Sequence, residues 1–221
     1  MGKENFSRRN NLKKDNPLES ESFVTENVFT SPLDNTSVLS SDKPAILGGS
    51  PVYDRAWPQW PIWELEDEPS ILNVLRSGVW SRKNIVIQFE EEWANAIGAK
   101  KCLATVNGTN AIFTALIQSG VGAGDEVIVP PYTFVGTVSP VLAAGAFPIF
   151  VDTDRETFQI DDTKIEARIT ERTKAIIPVH VGGLPANMPE ILKIAARYNL
   201  VVIEDACQAH LSEMNEKKMG T

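Results

Sequence analysis

Three stretches of the chain carry residue types that could hold a ligand. Val106-Asn107-Gly108-Thr109-Asn110-Ala111 joins an apolar run to a helix-like stretch. A glycine at such a junction lets the backbone approach a ligand closely, and the N–H groups that follow it open a helix. With a helix dipole worth about 0.3–1 kcal/mol near a surface, that is a cradle for a phosphate. Taken alone, a plain turn capped by Asn107 or Thr109 accounts for the same residues. The second stretch, Val129-Pro130-Pro131-Tyr132-Thr133-Phe134, sets two aromatics at the end of an apolar run. An exposed ring there could stack on a flat ligand; packing in a core is the alternative. The third is Val202-Ile203-Glu204-Asp205-Ala206-Cys207-Gln208-Ala209-His210. A carboxylate ending a buried strand is costly unless it meets a cation or donors. Asp205 would suit a protonated ring nitrogen, a charged hydrogen bond worth about 1.5–3 kcal/mol, or it caps the helix that follows. Phosphate site, stacking ring and acid are together what a phosphorylated pyridine requires, and their joint occurrence is more specific than any one of them.

The elements that must position these residues are legible as a rhythm. Apolar runs at Cys102–Val106, Glu126–Val129, Phe147–Val151, Lys174–Val179 and Leu200–Asp205 alternate with helix-like stretches at Thr109–Ser119, Thr133–Ala144, Asp162–Ile169 and Pro189–Tyr198. Runs of four to six residues separated by helices predict βαβ units, a mostly parallel sheet and helices on both faces. Ligands of such sheets sit beyond the carboxyl ends of the strands, where the three stretches fall. Two further helices are expected, over residues 64–77 with Gly78 as its stop and over Ile87–Ile97 with Gly98 just past its end. The segment Trp57–Trp63, with three tryptophans and two prolines, predicts an extended arm packed on its own domain or on a partner. Residues 1–43 are polar, lack a sustained period and predict a disordered tail. The domain plan is therefore a tail at 1–43, an arm with helices at 44–100, and a ligand-binding α/β domain at 101–221.

Bulk properties exclude several classes. A net charge of −8 argues against a nucleic-acid binder. There is no run of about 18 apolar residues to span a membrane. Cys102 and Cys207 read as two buried free thiols, and two histidines without a Cys/His cluster do not make a zinc site. Ser7-Arg8-Arg9 looks like a twin-arginine signal, but Asp15 to Ser22 follow where an apolar stretch is needed, so a cytoplasmic location is expected. A dinucleotide-binding fold is disfavoured because the chain lacks Gly-x-Gly-x-x-Gly at its strand ends, and Gly108 is not followed by a Walker Lys-Ser/Thr.

From about Ala45 to Thr221 the chain resembles the DegT/DnrJ/EryC1/StrS family of pyridoxal-phosphate (PLP)-dependent nucleotide-sugar and cyclitol aminotransferases. The resemblance is carried by Asn107 to Ala111, Gly124 to Pro130, Thr133-Phe134, Pro178-Val179-His180 with Gly183 to Met188, and Glu204 to His210. It implies the three-layer, mostly parallel large domain of the aspartate-aminotransferase type, here truncated, and a homodimer in the full-length form. It implies that the backbone at Gly108 and Thr109 holds the PLP phosphate, that Phe134 stacks on the pyridine, that Asp205 binds the ring nitrogen and that Gln208 lies near the phenolic oxygen. His180 is implied as a possible site-lining residue. The substrates implied are a keto sugar or keto-cyclitol and an amino donor, glutamate or glutamine. The family's Schiff-base lysine follows a segment like Lys217 to Thr221, and neither Lys217 nor Lys218, both expected in a hairpin, matches it. The chain is therefore expected to be inactive alone, with a non-catalytic PLP-binding or scaffold remnant as the alternative. Leu211 stands where the family commonly has glycine.

Overall fold

The computed structural model describes residues 43–53, 55–56 and 61–221. The expected disordered tail, apart from Lys43, and Trp57 to Trp60 of the arm lie outside the described residues. The chain divides into two units, Met1–Trp63 and Glu64–Thr221. This groups the helices of residues 64–100 with the sheet. In the first unit the described residues form one 3₁₀ turn, Ala45–Leu47, closed by Gly48 at φ 91°, a left-handed conformation that glycine adopts without a Cβ penalty.

The second unit begins with two helices. α1 (Glu68–Ser77) follows a 3₁₀ turn at Leu65–Asp67 and ends on Gly78. α2 (Asn84–Ile97) ends on Gly98 at φ 76°. On α2, Phe89 stacks on Trp93 with ring centroids 6.2 Å apart, as expected from their i, i+4 spacing. α1 buries no residue.

The sheet has four parallel strands in the order β2-β1-β3-β4: β1 is Glu126–Val129, β2 Phe147–Phe150, β3 Thr173–Ile176 and β4 Val201–Val202. Alternation across the pleat builds two cores. Val127 and Val129 of β1 and Ala175 of β3 face α3 (Gly108–Gln118) and α4 (Val135–Ala143), packing with Ile112, Leu116 and Val141. Ile128 and Ile176 face the other way, onto Ile191, Ile194 and Ala195 of α5 (Met188–Tyr198). These β1 side chains are fully buried, each worth about 1.5–3 kcal/mol. The expected helix at Asp162–Ile169 is instead two 3₁₀ turns, Asp162–Lys164 and Glu166–Arg168. A two-residue hairpin, β5 (Glu213–Met214) with β6 (Lys217–Lys218), closes the described structure. It turns through Asn215 and Glu216 at φ 52° and 64°.

The run Cys102–Val106, expected as a strand, is not one. It joins no ladder, and Leu103 and Val106 are exposed. Glu90 of α2 holds it in place, accepting the Ala104 N–H at 2.9 Å while pairing with Arg82 through two hydrogen bonds of 3.1 and 2.6 Å. The Arg82 guanidinium, then the Ala104 N–H, keep the Glu90 carboxyl below the usual range. One carboxylate so ties α2, the loop before it and the approach to Asn107.

Candidate active site

The crevice opens where connections diverge: from β1 the chain crosses to β2 on one side, from β3 to β4 on the other. That is the switch point at which parallel sheets bind ligands. A cavity of about 530 Å³ lies there, lined by residues following β1, β3 and β4 and by the start of α3. Gly108, Thr109, Phe134, Asp205 and Gln208 all line it.

The start of α3 is capped by Asn107, whose side chain accepts the Asn110 N–H at 2.9 Å. The first-turn amides of Gly108 and Thr109 have no intrahelical acceptor and open on the cavity. A Cβ on Gly108 would come within 2.6 Å of Cys207 Sγ, and one on Gly136 within 2.8 Å of both Phe134 and Thr109 Oγ1. Both glycines thus leave space that a side chain would fill. Phe134 precedes α4 and is 73% exposed, which rules out core packing for it.

Asp205 is buried. Its Oδ2 accepts the Thr137 hydroxyl at 2.6 Å, and Thr137 Oγ1 lies 2.7 Å from Thr133 Oγ1. Its Oδ1 accepts the Cys207 N–H at 3.3 Å, so capping of the following turn coexists with a place in the cavity. Thr137, one turn into α4 and fully buried, went unnoticed in the sequence, where a threonine at that position carries no signal. Gly136, between Phe134 and Thr137, is legible only from what its Cβ would meet.

Gln208 Oε1 accepts the Gly182 N–H at 2.7 Å. His180 does not line the cavity. It is fully buried behind the wall, with Nε2 2.9 Å from Glu204 Oε2 and Nδ1 accepting the Ala186 N–H at 3.0 Å. The cysteines correct the sequence reading: Cys102 is half-buried and Cys207 exposed on the cavity wall. Cys207 lies in a turn, not in a strand. Crowding by the protein, then the Asp205 carboxylate, push its thiol up to about 11, which favours the thiol over the nucleophilic thiolate. Lys217 and Lys218 lie in the hairpin, Lys218 paired with Glu213 at 2.5 Å. Among the described residues, none that lines the cavity is a lysine.

The pattern of the DegT/DnrJ/EryC1/StrS aminotransferase family matches residues 62–221. The chain belongs to this family. It is 40% identical over 185 residues to a putative L-glutamine:3-amino-2,3-dideoxy-scyllo-inosose aminotransferase of Micromonospora echinospora, covering 82% of this chain and 44% of that protein. Among solved structures it is similar to NtdA from Bacillus subtilis with bound cofactor PMP, at 42% identity and TM-score 0.63 over 66% of this chain and 34% of that one. It also matches the E. coli GDP-4-keto-6-deoxy-D-mannose-3-dehydratase with bound hydrated PLP, at 30% identity and TM-score 0.68 over 72% and 42%. The three-layer α/β architecture is that of these PLP-dependent enzymes. The chain spans less than half the length of these relatives.

Proposed function

We propose that this chain forms the PLP-binding portion of an aminotransferase acting on a keto sugar or keto-cyclitol. The observation that carries the reading is that an anion-ready helix start, an exposed aromatic ring and a buried acid share one cavity. In this reading the amides of Gly108 and Thr109 take the phosphate, and Phe134 lies against the pyridine face. Asp205, oriented by Thr137, accepts the ring N–H and keeps that nitrogen protonated. Gln208 presents its amide to the phenolic oxygen. The bound cofactor supplies an electron sink for the carbon that exchanges its amino group. The residues present fit it: a cradle kept open by Gly108 and Gly136, and a carboxylate with a prearranged donor. Glutamate or glutamine as donor and a homodimer as the working form follow from the resemblance, and a cytoplasmic location from the lack of an apolar stretch after Arg8-Arg9.

The test is a PLP titration of the purified chain, read by tryptophan quenching and cofactor absorbance. Saturable binding is expected, weakened at least tenfold in Asp205→Ala, with no covalent adduct in the cavity on borohydride reduction, because no lysine among the described residues lines it. No binding by the wild type would end the reading. A non-catalytic PLP-binding protein of the same fold is the second reading, favoured by the absence of a lysine among the described residues that line the cavity. Turnover of glutamine with a keto-cyclitol would discard it.

A further inference from the structure

Glu204 and Asp205 are neighbours in sequence and point to opposite sides of one strand end, as the pleat requires. Asp205 faces the cavity. Glu204 faces His180 and the end of the hairpin. Both of its hydrogen bonds fall on a single oxygen: Oε2 lies 2.9 Å from His180 Nε2 and accepts the Gly220 N–H at 2.8 Å. His180 is completely enclosed, and its Nδ1 is already an acceptor, for the Ala186 N–H at 3.0 Å. That fixes the tautomer: the ring is neutral, with the proton on Nε2, donated to Glu204. The backbone repeats the connection. His180 N–H donates to Asp205 O at 3.1 Å, and Asp205 N–H to Pro178 O at 2.9 Å. Val179 and Asp205 form a parallel bridge beyond the last residues of β3 and β4.

We infer that Glu204 and His180 are a positioning pair that fixes Asp205 at the cavity wall and docks the hairpin behind it. Neither touches the cofactor space, and the inference rests on the PLP reading above. The pair ties three separate pieces of chain: the loop to Ala186, the end of the last strand, and Gly220. The link to Asp205 is short and rigid, one peptide bond on one side and a backbone ladder on the other. A shift of the Glu204 side therefore moves the acid out of line with Thr137. The charge of Glu204 is not what the arrangement uses, since a neutral histidine and a backbone amide are its partners. One correctly placed oxygen suffices.

The experiment measures PLP affinity of the full chain for wild type, Glu204→Gln, Glu204→Ala and His180→Asn, alongside melting temperature and hydrogen exchange at Gly220 and Ala186. Glutamine retains an oxygen for both donors, so E204Q should bind within about twofold of wild type. E204A removes it and should lose about tenfold, the scale of one net hydrogen bond, with faster exchange at Gly220. H180N keeps an acceptor for Ala186 but is too short to reach Glu204, and should fall with E204A; it carries the test if E204A does not fold. Equal losses in E204Q and E204A would overturn the pair as described, because charge would then be the operative property. So would affinities in E204A and H180N that match wild type. Failure of the wild type to bind PLP is a separate result, seen without any variant, and removes the functional reading and with it the pair's cofactor role.

Discussion

Leu211 adopts φ 61°, the left-handed region, with its side chain 53% exposed. A bulky residue there carries strain of about 1–3 kcal/mol, and a glycine would not. Leu211→Gly is expected to stabilise the chain by about 0.5–1 kcal/mol, since glycine's larger unfolded-state entropy offsets part of the relief. Denaturant unfolding checks this, and a lower midpoint in the variant would refute it. Leu211 was singled out in the sequence only through the resemblance; its left-handed backbone angle was not legible there. The same holds across the site. Gly108, Phe134 and Asp205 were legible because they end apolar runs, and strand ends are where such sheets bind ligands. Thr137 and the Glu204–His180 pair were not, because their meaning lies in partners 68 and 24 residues away.

Among the elements, β1 is held at its start by a carboxylate with several partners. Glu126 is buried; its Oε2 accepts the Thr170 hydroxyl at 2.6 Å and its Oε1 the Arg172 Nε at 2.9 Å. The Thr170 hydroxyl first, then Arg172, hold its carboxyl below the ordinary 4.5. A folded-state value below the unfolded one means stability that is present at neutral pH and is lost as pH falls below the ordinary value and through the folded one. In Glu126→Gln this part of the acid dependence should vanish: stability at pH 7 is lower than in wild type, and the decline from pH 5 to pH 3 is shallower. Urea melts across that range measure it; parallel profiles would show that Glu126 is not responsible. The strands and helices with strong periods matched their expected positions within a few residues. Cys102–Val106 did not, since an apolar run becomes a strand only where another strand pairs with it. Nothing local distinguishes that run from β1.

The molecule as a whole leaves much apolar surface in view. Ile71 and Leu75 of α1, Trp80, and Phe89 of α2 are more than half exposed, and Cys102–Val106 pairs with no other strand, as a segment able to recruit one would. The isolated chain is therefore expected to self-associate at tens of micromolar, the range in which such surfaces aggregate. Light scattering against concentration tests it, and a monodisperse monomer throughout would contradict it. The fold class was legible at this scale from alternation alone; the exposure was not, because hydrophobic pattern says which face is apolar and not whether anything covers it. The bond between Thr137 and Asp205 has a last consequence. The hydroxyl is made 68 residues before the acid it orients. On the ribosome the helix start at Gly108 and the ring of Phe134 emerge before the acid. In the reading proposed above, a nascent chain halted before residue 205 thus has a phosphate cradle with no partner for the ring nitrogen, and cofactor capture waits for that residue.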